Sequence, residues 1–173
     1  AGKPIPLETD TTVPIAQKLN EGYMWKIGKA QFLSAEQKIR TGMYSIQPYE
    51  PGRVPVVFVH GTFSSPVAWA EMWNTLQGDS VLRQRCQFWY FVYNSGNPVT
   101  YSAANLQDAI MNTLQRIDPE GKDPALHEMI IIGHSQGGLL TKLTAVETGD
   151  RLWRVVSDQS FEDVNVSPDT REE

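Results

Sequence analysis

From Arg53 onward, short apolar runs alternate with helical patterns, and that alternation leaves the chain few folds to choose from. Val54 to Val59 is an unbroken apolar and β-branched run, as expected of a strand buried on both faces of a parallel sheet. Ser65 and Pro66 then supply an N-cap and a first-turn proline for a helix from Pro66 to about Gln77, closed by Gly78. Gln87 to Tyr93 is a second such strand, and its stripe of Phe88, Trp89, Tyr90, Phe91 and Tyr93 reads as sheet core rather than a ligand box. Ser102 is the expected cap of a helix to about Ile117, with Leu106, Ile110, Met111, Leu114 and Ile117 at helical spacing. A polar loop, Asp118 to Asp123, leads to a third strand at Met129 to Ile132. A helix over Gln136 to Thr148 follows, ending at Gly149. Strands alternating with helices imply parallel crossovers, so the expected class is α/β, a mostly parallel sheet with helices on both faces.

The first 42 residues are less legible. Thr11 to Asn20 reads as a short helix entered at Thr12 with Pro14 in its first turn, and Met43 to Gln47 as a strand before the Pro48 to Gly52 turn. No repeat is present, and 173 residues suit one domain, which buries roughly 70% of its unfolded surface. Its expected parts are an extension over 1–42, a core over 43–149, and the start of a cap or later-strand region over 150–173.

A net charge of -5 leaves no clustered cations for a phosphate backbone, so nucleic acid is not an expected partner. Cys86 is the single cysteine, expected at a strand edge; it cannot form an intrachain disulfide and leaves the compartment open. No apolar run reaches the ~18 residues of a membrane helix, and no basic-then-apolar leader pattern precedes the fold. The expectation is a soluble protein of the cytoplasm or the bacterial cell envelope. The chain starts at Ala1 rather than Met, which suggests a removed leader or a longer N-terminal region.

Gly133-His134-Ser135-Gln136-Gly137 fits G-x-S-x-G, a pattern that arises by chance in roughly one chain of this length in twenty. Its position gives it weight: it follows a buried strand directly and opens a helix. Such a turn holds Ser135 in a strained conformation, and Gly133 and Gly137 avoid a β-carbon that would crowd the neighbouring helix and strand. Ser135 then lies at a helix N-terminus, where free N–H groups favour a developing negative charge. Gln136 N–H is the natural first oxyanion donor. The second is expected in His60-Gly61-Thr62, at the end of the Val54 strand, where Gly61 permits close approach: the Thr62 N–H, or alternatively that of Phe63.

The pair V-V-F-V-H-G-T and I-I-I-G-H-S-Q-G-G resembles the α/β-hydrolase fold, and G-H-S-Q-G-G is similar to the elbow of bacterial lipases and esterases. The stretch from Phe88 to Ala103, with Y-N-S-G-N-P at Tyr93 to Pro98, also resembles a group of uncharacterised bacterial α/β-hydrolases. The matched region spans about Val54 to Gly149. The resemblance implies an ester hydrolase acting on a small-molecule or lipid ester, with no cofactor and no metal. Ser135 would be the nucleophile, and His60 would shape the oxyanion loop. His134 would point away from the hydroxyl. Tyr93, Asn94, Ser95 and Tyr101 are candidates for the pocket rim, since the loop after that strand lies at the active-site end of the sheet.

In that family the acid and the histidine follow the nucleophile, yet none of the 38 residues after Ser135 is histidine. The three histidines present are His60, His127 and His134. His127 precedes its strand and is expected ~15 Å from Ser135. Asp158, Asp163 and Asp169 are possible triad acids, more simply read as solvated carboxylates because no histidine follows them. Leu152 to Ser157 reads as a further strand or a connector, and Ser167 to Glu173 as the start of a helix. The expectation is an incomplete α/β-hydrolase fold, lacking its base and acid, with an uncovered sheet edge that invites self-association. The competing reading is a non-catalytic domain that keeps this core for binding or assembly.

Overall fold

The computed structural model describes residues 40–155, 157–160 and 163. The expected helix at Thr11 to Asn20, Asp169 and the segment from Ser167 to Glu173 lie outside them.

Among the described residues four strands form one mixed sheet: β1 (Gly42–Ser45), β2 (Val54–Val59), β3 (Cys86–Val92) and β4 (Ile130–Gly133), in the order β1-β3-β2-β4. β2 runs parallel to both β3 and β4, while β1 pairs antiparallel with β3. Pro55, which has no N–H to give a ladder, sits where β2 has only β3 beside it, because pairing with β4 starts at Val56 opposite Ile130. The fold is therefore α/β.

Alternation along β2 splits the core in two. Val56 and Phe58 pack with Phe88, Tyr90, Trp69 and Trp73 on one face. On the other, Val57 and Val59 pack with Trp89, Phe91, Leu106 and Leu140. Trp69 closes a 3-10 turn over Pro66–Trp69, and Trp73 belongs to α1 (Ala70–Gly78). Leu106 comes from α3 (Val99–Ile117) and Leu140 from α4 (Gln136–Thr144), so helices cover both faces.

The element ends depart from expectation where a polar side chain or a proline intervenes. Ser65 is extended but makes no capping bond; the chain enters through the 3-10 turn instead, and Ser65 is buried. Gly78 lies inside α1 because Asp79 follows it and caps α2 (Ser80–Arg85), a short helix the apolar pattern did not reveal. The Asp79 carboxylate accepts the N–H groups of Val81 and Leu82. α3 starts at Val99, behind Pro98, rather than after Ser102. Ser102 is buried in the first turn and donates its N–H to the Pro98 carbonyl at 3.0 Å. α4 stops at Thr144, not Thr148: Ala145, Val146 and Glu147 are exposed, with no apolar face to bury, and Gly149 takes φ +51 in the following turn. Over Leu152 to Ser157 there is a 3-10 turn at Trp153–Val155 and no strand among the described residues.

Among the described strands β1 is one edge of the sheet and β4 the other, where Ile130 is half exposed. Cys86 opens β3, half buried, and burial pushes its thiol above the ordinary value despite the opposing charge of Arg85. No helix among the described residues is long and apolar enough to cross a membrane.

Candidate active site

Three loops meet at the C-terminal ends of β2, β3 and β4, and each is shaped by a steric or polar demand. The β4 to α4 turn places Ser135 at φ 54°, ψ -123°, a region that residues with a β-carbon rarely enter. Its neighbours leave no alternative. A β-carbon on Gly133 would fall 2.3 Å from the Gly137 carbonyl oxygen, and one on Gly137 would fall 2.2 Å from the Val59 carbonyl oxygen. The two glycines thus let strand, turn and helix close on one another, with Ser135 exposed at the crest.

The β2 loop comes in against that turn. His134 N–H extends the ladder by donating to the Val59 carbonyl at 3.0 Å. A β-carbon on Gly61 would lie 3.0 Å from Ser135 Cβ and 3.1 Å from His134 Nδ1, so Gly61 is what lets the loop sit beside the serine. The Thr62 hydroxyl donates to the Gln136 side-chain oxygen at 3.0 Å, joining the two residues whose backbone N–H groups were the expected oxyanion donors. Neither N–H takes an intramolecular partner among the described residues. Phe63, the alternative donor, is already engaged: its N–H donates to Ser95 Oγ at 3.1 Å.

The histidines separate into three environments. His60 is 2% exposed, stacks on Tyr93 with ring centroids 4.5 Å apart, and its Nδ1 lies 3.0 Å from the Gly61 carbonyl. Burial lowers its pKa, an effect the Gly61 contact partly opposes, and a proton on Nδ1 leaves Nε2 buried without a partner. His134 is exposed and meets Trp69 edge-on at 6.5 Å between centroids. His127 lies in the 3-10 turn at Pro124–Glu128 that precedes β4, at the end of the sheet away from Ser135. Asp158 and Asp163 are both exposed.

Two expected rim residues are not at a rim. Tyr93 is 2% exposed and donates its hydroxyl to the His60 carbonyl at 2.8 Å; burial pushes its pKa up. Ser95 is buried beneath the β2 loop. Asn94 is half buried and Tyr101 exposed. Residue type alone could not separate the two pairs, because the turn that buries Ser95 depends on Asn94 accepting the Gly96 N–H.

Sequence reasoning missed that Ser95 bond, whose only local signal was an Asx-turn pattern at Asn94 to Gly96. Among the described residues no cluster of three His, Cys, Asp or Glu could hold a metal ion. An exposed serine at the start of a helix, beside two N–H groups with no partner among the described residues, can form a bond to an electrophile and stabilise the oxygen that becomes negative. Comparison with protein-family models, curated proteins and solved structures finds no match.

Proposed function

We propose that this chain carries the nucleophile of a serine hydrolase of the α/β-hydrolase type, one that cleaves carboxylic esters of lipid or other acyl substrates. The observation that supports it most is the strained, exposed Ser135 beside two N–H groups, those of Gln136 and Thr62, that have no partner among the described residues. Strain of this kind costs about 1–3 kcal/mol and is kept where geometry matters more than stability.

In the proposed reaction Ser135 Oγ attacks the ester carbonyl carbon, and its proton passes to a base. The carbonyl oxygen takes the negative charge between the Gln136 and Thr62 N–H groups. Collapse breaks the bond to the alkoxide leaving group, which receives the proton, and leaves an acyl group on Ser135. Water then repeats the sequence and releases the acid. His60 is a poor base for this, since it is buried and its ring is held by Tyr93 and Gly61. His127 lies at the other end of the sheet. His60 and His127 are thus both poorly placed to serve as the base.

Intact mass after exposure to a fluorophosphonate, on the parent chain and on Ser135→Ala, tests the reading. Stoichiometric labelling that disappears in the variant supports an activated serine, and makes His60 the first residue to replace. A folded parent that takes no label favours the second reading, a binding or assembly domain. That reading draws on the three histidine environments and on the edge of β4, with which no other described strand pairs. An assembly domain would associate along that edge, so a concentration-dependent sedimentation coefficient, abolished by Ile130→Lys, is its expected mark.

A further inference from the structure

We propose that Ser95 is a positioning residue that presets the oxyanion loop, holding the Thr62–Phe63 peptide so that the Thr62 N–H faces the Ser135 site. The inference rests on the hydrolase reading above and adds a residue to it.

Gly61 to Ser64 is a tight turn closed by the Ser64 N–H donating to the Gly61 carbonyl at 3.3 Å. Phe63 is its third residue and takes φ +55, a place where glycine is the usual occupant. A phenylalanine there works against the turn, because its β-carbon disfavours the left-handed region. Its ring is half exposed, so packing gives only partial recompense. The force that offsets the strain comes from below, where Ser95 Oγ, 5% exposed, accepts the Phe63 N–H at 3.1 Å.

Ser95 is itself fixed. Asn94 accepts the Gly96 N–H through its side chain at 2.9 Å and the Asn97 N–H through its carbonyl at 3.1 Å, which makes the loop after β3 a small rigid turn. A peptide plane held at its nitrogen cannot flip. The flip would rotate the Thr62 carbonyl and carry strain into the Gly61–Thr62 peptide, which bears the proposed donor. From the other side the Thr62 hydroxyl is tied to Gln136. Phe63 is thereby assigned to structure rather than to the oxyanion, and the choice between the two donors falls on Thr62.

The test is a double-mutant cycle on the full chain, combining Ser95→Ala with Phe63→Gly, with Ser95→Thr as the variant that keeps the hydroxyl. Two readouts are used: amide hydrogen exchange at residue 63, and the rate of Ser135 labelling by a fluorophosphonate. Ser95→Ala is expected to speed exchange at Phe63 by about tenfold. Labelling should slow by about tenfold, less than the ~10²-fold or more that follows loss of an oxyanion donor. Ser95→Thr should restore both. In the Phe63→Gly background Ser95→Ala should cost little, because glycine takes the positive φ unaided. Unchanged exchange at Phe63 in Ser95→Ala overturns the proposal. So does an equal loss in both backgrounds, which would make Ser95 a general packing residue. Absence of labelling in the parent overturns the hydrolase reading instead, and is told apart because exchange at the Phe63 amide responds to the Ser95 hydroxyl whether or not Ser135 takes a label.

Discussion

The two ends of the sheet are built on opposite terms. At the end where β2 starts, polar groups are paired across loops. The buried Gln87 side chain accepts the Glu50 N–H and donates to the carbonyls of Glu50 and Arg53. Asp123 accepts from the Tyr49 hydroxyl and from the N–H groups of Gly52 and Ala125, while Asp118 accepts from those of Lys122 and Asp123. These bonds hold both carboxyls below the ordinary range, led at Asp123 by Tyr49 and at Asp118 by the Asp123 N–H. At the other end stand the two described non-glycine residues with positive φ, Phe63 and Ser135. The four described buried side-chain atoms without a partner, His60 Nε2, Ser65 Oγ, Trp69 Nε1 and Ser102 Oγ, belong to the loops and helix starts of this end. Strain and unpaired polar atoms gathered at one end, with hydrogen bonds across the loops at the other, locate where geometry has been kept against stability.

That contrast can be broken most forcefully at Gly137. Gly137→Ala drives a β-carbon into the Val59 carbonyl and is expected to lose about 3 kcal/mol or more in denaturant unfolding. Gly138→Ala, whose new atom meets nothing closer than 3.5 Å, should be neutral or slightly stabilising. Equal losses at the two positions would mean that the turn relaxes and that its tightness has been overstated. Next comes the bonded end. Gln87→Ala strips three hydrogen bonds from a buried position and should cost about 2 kcal/mol in the same assay.

Ser135→Gly sharpens the comparison with the opposite sign. Freed of its β-carbon, residue 135 should gain about 1–2 kcal/mol, whereas Ser135→Ala keeps the strain and gains little. A thermal melt separates the two, and a stabilised alanine variant would count against backbone strain as the cause. The smallest effect is a pH slope. His60 has a folded pKa below its ordinary 6.5, so protonation favours the unfolded chain. Stability is complete above about pH 6.5 and is lost as pH falls from there through the folded value. His60→Phe, which keeps a ring against Tyr93, should remove that part of the slope, leaving the contribution of the carboxylates.

Much of this was legible in one dimension. The apolar runs at Val54 and Gln87 fixed both strands to within one residue, because a strand buried on two faces leaves a continuous apolar record. The glycines around Ser135 were legible for a related reason, since a β-carbon there has nowhere to go in any strand-turn-helix of this kind. Helix ends were not, as at Ser65, Ser102 and Thr148, because a serine or a glycine marks a possible boundary while packing decides which boundary is used.

The sequence by itself determined the α/β class, the two-faced core and the place of Ser135, all of which depend on the period of apolar residues and on the volume available at single positions. Only the tertiary structure decided which loop N–H is held and which is free, that Ser95 is buried beneath Phe63, and that Tyr93 supports His60. Each joins residues about 30 positions apart, through hydroxyl bonds whose direction is set when β2 and β3 come side by side. A local pattern carries no record of that meeting.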